Sequence, residues 1–421
     1  MRKKIAIVLI VILFINNAHS VALFGGDGAA AEVRNDANNW PENNVENPYE
    51  KVDWKKHKHV CSTSHIHITT QEQFDNAYRG GLRHFAISNY YPSVPYYHLD
   101  KIRKDQYKVQ QQHAVVVNGK LQQGPFNWNQ IIMDKTTGWY DELGPNTQKT
   151  LPFQVGDYIF GNLPNDITTS PNAEQHSFTN SQAHINSLGS NYRSGTFDPS
   201  YTNKYLLIDH GYGLGTGLKW QLAFDKMLNE LQFPDGGGLT INHPVWMGQD
   251  VSEICELLDY DDRVLGIEIW NETAQKTAKK GFALETWDKV LATGRRCYGF
   301  SVPDHHHDKD FKGRNYLLVP EFNERECLKA YRDGRFYCAL LGNDLRFDEI
   351  SFSEGVLTIE INKQALIKII SDKGVVEEKG GRMVYEVPVE DGRYAVNYIR
   401  IEAEDETGER IFSQSIMFKV R

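Results

Sequence analysis

The chain has 421 residues, a formal net charge of −9, 40% hydrophobic residues and 24% charged ones. That length exceeds one small domain and suits a large α/β domain with a smaller companion, in a composition ordinary for globular proteins. The acidic balance excludes a nonspecific electrostatic grip on nucleic acid or anionic membrane, although bound divalent cations can reverse the field locally for a phosphorylated substrate.

Arg2, Lys3 and Lys4 precede an apolar run from Ile5 to Ile15, and Ala18-His19-Ser20 offers small residues for cleavage. That is the pattern of a secretory signal peptide over residues 1–20. The run is shorter than the ~20 apolar residues a span needs, so no stable membrane anchor is expected. The chain reads as secreted or periplasmic. Residues 21–56, rich in Gly, Ala, Asn, Asp and Glu without periodicity, read as a flexible leader.

From 57 to 342, strand-like apolar runs at 83–88, 204–208, 238–242, 264–270, 297–301 and 315–319 alternate with helical ones. Phe224, Met227, Leu228 and Leu231 form a helical stripe. Asn323 with Glu326 makes a capping box, and Gly334 stands where that helix should stop. Strand then helix, repeated, predicts parallel strands covered by helices, which a barrel closes without edges. The alternation fails between about 91 and 172, where aromatics, Asn and Gln surround a hairpin signal at 113–120. This stretch reads as an insertion on the barrel rim. From 345 to 421, runs such as Val356–Ile361 and Tyr398–Ala403 alternate apolar and polar, the pattern of a small antiparallel β-sandwich domain. Cys61, Cys255, Cys297, Cys327 and Cys338 include no close pair and read as buried small residues, with one bridge, Cys297 to Cys338, left open.

His65 and His67 flank Ile66. Residues two apart in a strand point the same way, so both imidazoles can reach one metal ion. In a chain of 15 histidines the spacing also arises by chance. Asp304 and His306 repeat the pairing after the 297–301 run, or else belong to a solvated loop running into Lys309-Asp310. Pro244 stops strand pairing after Asn242-His243, which leaves His243 at a strand's C-terminal lip, where α/β barrels carry their sites. Glu174 and His184 stand alone in their segments. A carboxylate can bridge two cations, and a nearby imidazole can complete one of them.

In order, these segments are His65-Ile66-His67, Gly80 to Ser88, Glu174, Ala183 to Gly189, Asn242-His243-Pro244, Gly266 to Asn271, Asp304-His305-His306, and the helix ending in Gly334-Arg335-Phe336-Tyr337. Together they resemble the polymerase-and-histidinol-phosphatase (PHP) superfamily, in particular its exported CehA/McbA-like branch, over about residues 57 to 340. The resemblance implies a distorted (β/α)7 barrel with metal ions at its C-terminal mouth. It implies that His65, His67, Glu174 and Asp304 hold a first ion, and that Glu174, His184 and His243 hold a second, Glu174 bridging. Where relatives read Thr-Asp-His, this chain reads Ser88-Asn89-Tyr90. Two divalent ions (zinc, manganese or iron) are therefore expected, with a third weak or absent although His306 keeps that site's other position.

The implied chemistry is hydrolysis of a phosphorylated small molecule or glycan, by a hydroxide bridging two ions ~3.5–4 Å apart. Asp304 and His306 are the expected catalytic residues, His306 as general acid if freed from metal duty. Arg83, Lys312 or Arg314 could steady a phosphate, but basic residues are common on surfaces and none is singled out. Two other readings stay open: the same centre acting on a carboxyl ester or carbamate, and a non-catalytic carbohydrate- or surface-binding protein on the same scaffold.

Overall fold

The structure is a computed structural model describing residues 45–68, 71–88, 164–176, 178–192, 218–305, 310–342 and 344–418, plus the backbone of four strands between 109 and 158. The signal and most of the leader, the 204–208 run, Asn89, Tyr90 and His306 lie outside the described residues.

The first strands are β1 (Lys58–Thr63), β2 (Ile66–His67) and β3 (His84–Phe85). Those of the insertion are β4 (Val109–His113), β5 (Val115–Val117), β6 (Lys120–Gln122) and β7 (Gln154–Tyr158). Next come β8 (Thr168–Thr169), β9 (Glu174–Gln175), β10 (His184–Leu188), β11 (Gly238–Asn242), β12 (Val264–Asn271), β13 (Tyr298–Val302), β14 (Asp304–His305), β15 (Gly313–Val319) and β16 (Phe336–Leu340). The tail adds β17 (Phe347–Ser353), β18 (Val356–Ser371), β19 (Gly374–Glu386), β20 (Val389–Glu390), β21 (Arg393–Tyr394), β22 (Tyr398–Glu404), β23 (Arg410–Phe412) and β24 (Ile416–Met417). The helices are α1 (Gln71–Arg79), α2 (Trp220–Asn229), α3 (Pro244–Met247), α4 (Val251–Leu258), α5 (Glu272–Ala278), α6 (Leu284–Leu291) and α7 (Glu324–Arg332). None of the described helices is long and apolar enough to cross a membrane.

The capping signals act as the sequence predicts. Asn323 Oδ1 accepts from Glu326 N at 2.9 Å to start α7, and Gly334, at φ +69°, sits just beyond its end. The stripe Phe224, Met227 and Leu228 is the buried face of α2. It shares one core cluster with Ile254, Trp287, Leu328 and Tyr331 and with Ile185, Leu239, Ile241, Ile267 and Phe300 of β10 to β13. Burying an aliphatic or aromatic side chain of this size stabilises by roughly 1.5–3 kcal/mol, so this layer fixes the strands that carry the site.

The fold is mixed α/β, but the expected closed barrel is not seen among the described residues. One sheet of 11 strands follows the path β17-β18-β22-β23-β16-β15-β1-β3-β8, with β19 on β18 and β24 on β22; a second, of five, runs β13-β12-β11-β10-β9. Several neighbours that a parallel barrel requires are antiparallel instead, among them β1 with β15 and β10 with both β9 and β11. Where the two sheets meet, side chains replace a backbone ladder. Asn315 Oδ1 accepts from Ser301 N (3.1 Å), and the Gln414 amide takes both the N–H and the C=O of Gly299 (2.8 and 2.9 Å). Gly313 makes the approach possible, since a Cβ there would stand 2.6 Å from the Val302 backbone.

The tail is all β. Position 345, where the sequence changes character, lies between β16 and β17, and β23 pairs back onto β16 through Cys338↔Phe412, Ala339↔Ile411 and Leu340↔Arg410. Its core of Ile359, Ile367, Ile369 and Ile401 includes Leu318, Tyr337 and Ala339 of β15 and β16, together with Tyr49. All five cysteines are buried and free, so Cys297 and Cys338 are not bridged.

Candidate metal centre

Beyond β1 the chain kinks through Ser64 and His65 into β2, which pairs parallel with β14 in the register Asp304↔Ile66. Asp304 N donates to His65 O (3.1 Å), and Ser88 holds the other side of β2, its N–H donating to Ile66 O (2.9 Å). His65, His67 and Asp304 thus meet at one point. Glu174 on β9 faces Asn186 on β10, and His184, two residues before Asn186, faces Asn242 on β11. The β9–β10 turn therefore brings together two residues ten apart in sequence. His243 follows β11 as the N-cap of α3, with Pro244 behind it.

Six of the seven expected site residues, His65, His67, Glu174, His184, His243 and Asp304, lie in one cluster. His306 lies outside the described residues. His65 Nε2 stands 3.1 Å from His67 Nε2, 3.3 Å from Glu174 Oε2 and 3.2 Å from Asp304 Oδ1. His67 Nε2 is 3.1 Å from Glu174 Oε2 and 3.4 Å from Asp304 Oδ1. A tetrahedral ion with bonds of 2.0–2.1 Å needs ligand atoms about 3.3–3.4 Å apart. These spacings fit that demand to within a few tenths of an ångström. The other oxygen of the same carboxylate, Glu174 Oε1, faces His184 Nδ1 at 2.9 Å and His243 Nε2 at 3.2 Å. One carboxylate thus presents one oxygen to each pair of imidazoles.

Burial alone would raise the Glu174 and Asp304 carboxyls, but the charge of His65 and hydrogen bonds from the surrounding imidazoles outweigh it and hold both well below the usual carboxylate range. Burial alone would lower His65, His67 and His243; the neighbouring carboxylates outweigh it and hold all three above the ordinary imidazole value. Protons on the rings thus balance the acids when no cation does, and a divalent ion would displace them. The donor set of imidazole and carboxylate fits zinc, manganese or iron.

Sequence reasoning quoted the segment Gly266 to Asn271 but gave Glu268 and Asn271 no role in the site. Glu268 Oε1 accepts from His65 Nδ1 at 2.6 Å, so that once the ring gives up its second proton the Nε2 lone pair is the one aimed into the cluster, the usual arrangement behind a metal-binding imidazole. The signal was a single carboxylate in the run Val264–Asn271, buried at every position. His176, stacked on His184 with ring centroids 5.2 Å apart, was also passed over. Two of the three cations considered for a phosphate are engaged elsewhere. Arg83 pairs with Asp166 (3.1 Å), and Arg314 is buried on Phe311, donating to Gly80 O and Phe311 O.

No family model matches the chain, and no curated protein matches it. Among solved structures it is similar to a two-domain protein from Bacteroides vulgatus described as containing a predicted PHP-like metal-dependent phosphoesterase. The TM-score is 0.35 at 13% identity, over 83% of this chain and 91% of that one. A likeness at this level leaves the chemistry to be read from the site itself.

Proposed function

We propose that this chain is a metal-dependent hydrolase of phosphoesters, built around two divalent ions that share Glu174. The observation that carries this reading is the division of the Glu174 carboxylate, Oε2 toward His65 and His67 and Oε1 toward His184 and His243. His65, His67, Glu174 and Asp304 would hold one ion, and Glu174, His184 and His243 the other. Such a pair supplies Lewis acidity and an activated water for attack on phosphorus. The chain's own residues supply the rest. The His184 side chain is 25% exposed while that of His65 is fully buried, so a substrate reaches the centre from the His184 side. We assign to His306, two residues beyond Asp304, the donation of a proton to the leaving group.

The same reading treats the chain as an exported PHP-type enzyme acting on a phosphorylated small molecule or glycan. It is tested by measuring bound metal and hydrolysis of an aryl phosphate and an aryl carboxyl ester by the wild type, His65→Ala, Asp304→Asn and His306→Gln. Phosphatase activity should require metal and be lost in the first two variants. Wild-type rates in both would place the centre elsewhere, and faster cleavage of the carboxyl ester would reassign the substrate class.

A further inference from the structure

We infer that Glu268 is a positioning residue that ties the two halves of the metal centre together, so that both ions bind tightly only while its carboxylate is in place. This rests on the two-ion reading above. Glu268 is buried, and its two oxygens serve different halves. Oε1 accepts from His65 Nδ1 (2.6 Å), in the first half; Oε2 accepts from the backbone N–H of His243 (2.7 Å), in the second. Oε2 also accepts from Asn271 Nδ2 (2.8 Å), and the same amide nitrogen donates to Asp304 Oδ2 (3.1 Å), returning to the first half. Asn271 is held in turn as the N-cap of α5, its Oδ1 accepting from Ala274 N at 2.8 Å.

The topology explains why this strand does the joining. β12 lies between β11 and β13. Its neighbours therefore lead into His243 on one side and into Asp304 on the other. In a regular strand Glu268 and Asn271, three residues apart, would point to opposite faces. The β12–β13 register shifts here: Glu268 pairs with Phe300, but Trp270 pairs with Ser301. The extra residue, Ile269, is a bulge that turns both polar side chains toward the centre.

Both residues held this way have unusual backbones. His243 has φ +28° and Asp304 φ +60°, a region that residues other than glycine seldom enter. Such conformations persist where surrounding contacts over-determine them. The Glu268 bond to His243 N and the Asn271 bond to Asp304 Oδ2 are contacts of that kind. Glu268 lies close enough to His65 and His243 to look like part of a third ion site. Both of its oxygens, however, are already occupied by N–H donors.

The test is a stepwise metal titration of wild type, Glu268→Gln and His184→Gln, each stripped with chelator and reloaded with Co2+. Absorption would be read together with metal content, and far-UV circular dichroism and melting of the metal-free forms would check the fold. An amide cannot accept at both positions, so E268Q should weaken both binding steps, by about 10–100-fold. H184Q, which does not touch Glu268, should weaken one step only. The inference is overturned if E268Q binds both ions like the wild type, weakens only the step that H184Q weakens, or merely melts earlier with affinities unchanged. A wild type that takes up no Co2+ would refute the two-ion reading itself. Should E268Q not fold, Asn271→Ser keeps a helix cap through its hydroxyl, removes the amide link, and is judged by the same outcomes.

Discussion

His84 is fully buried on β3, its Nδ1 2.7 Å from Ser62 Oγ and its Nε2 2.8 Å from Ser170 Oγ. Tyr331 donates its hydroxyl proton to Ser62 Oγ at 2.8 Å. Burial pushes this imidazole down from 6.5 to about 3. Between those values the unfolded chain takes up a proton that the folded chain refuses. Stability therefore falls as the pH drops through that window, and the full contribution of neutral His84 is present only above 6.5. At ~1.4 kcal/mol per unit the whole window is worth about 5 kcal/mol, of which about 3 kcal/mol is gone by about pH 4.5. His84→Gln removes the titrating ring and leaves an amide for the two serines. Urea unfolding of chelator-treated wild type and variant, run side by side, should show their stability gap closing by about 3 kcal/mol between about pH 7.5 and 4.5. The comparison cancels other acid-sensitive groups present in both proteins, such as His59, which burial and the charge of Arg346 lower to about 4. A gap that stays constant or widens would mean that His84 charges freely in the folded protein, and would refute the reasoning.

Elemental analysis after extensive dialysis should find about two metal equivalents per chain. Three retained equivalents, or a strong anomalous peak beside Tyr90, would count against two ions, as would a centre that stays empty when metal is supplied. Loading near neutral pH should release protons, because His65, His67 and His243 sit above the ordinary imidazole value in the metal-free protein. Affinity should therefore drop as the pH is lowered, and calorimetry in buffers of different ionisation heat checks the release; no net release would refute it. A chain ended at residue 342 should be insoluble, because it bares the edge of β16 and the buried faces of Leu318, Tyr337 and Ala339. A soluble, metal-loaded fragment would establish that the tail is dispensable. Protein from the native host should begin close to Val21, and a retained Met1 would overturn export.

What could be read from the sequence was local. Pro244 marks the end of β11, so His243 at the lip was visible from a single dipeptide. The i, i+2 rule brought out His65 with His67, although β2 is only two residues long and its partner is the equally short β14. Glu174 and His184 were recognisable only by their order among other motifs. What joins them is the antiparallel β9–β10 pairing, a choice of partner that no single segment reveals. Glu268, though inside the quoted segment Gly266 to Asn271, received no role because its strand is apolar enough to read as plain core, and because the Ile269 bulge, which aims it, leaves no mark on periodicity. That no closed barrel is seen among the described residues has a related reason. Strand–helix alternation says that strands are covered, but Asn315 and Gln414 standing in for a ladder is a long-range event. The backbones of His243 and Asp304 were equally illegible, since neither residue type demands a positive φ.

The pairing of β23 with β16 has a consequence for the order in which the molecule can be completed. The six clustered side chains all emerge from the ribosome by residue 304, and α7 and β16 follow soon after. Gln414, which occupies the backbone of Gly299 on the strand leading to Asp304, is made 110 residues after Asp304. Until then a nascent chain carries the clustered imidazoles and carboxylates on strands whose outer edge is open to pairing with any neighbour. Under the exported, metal-binding reading proposed above, this order favours a chain that crosses the membrane unfolded and meets its ions only when the later strands can cover that edge.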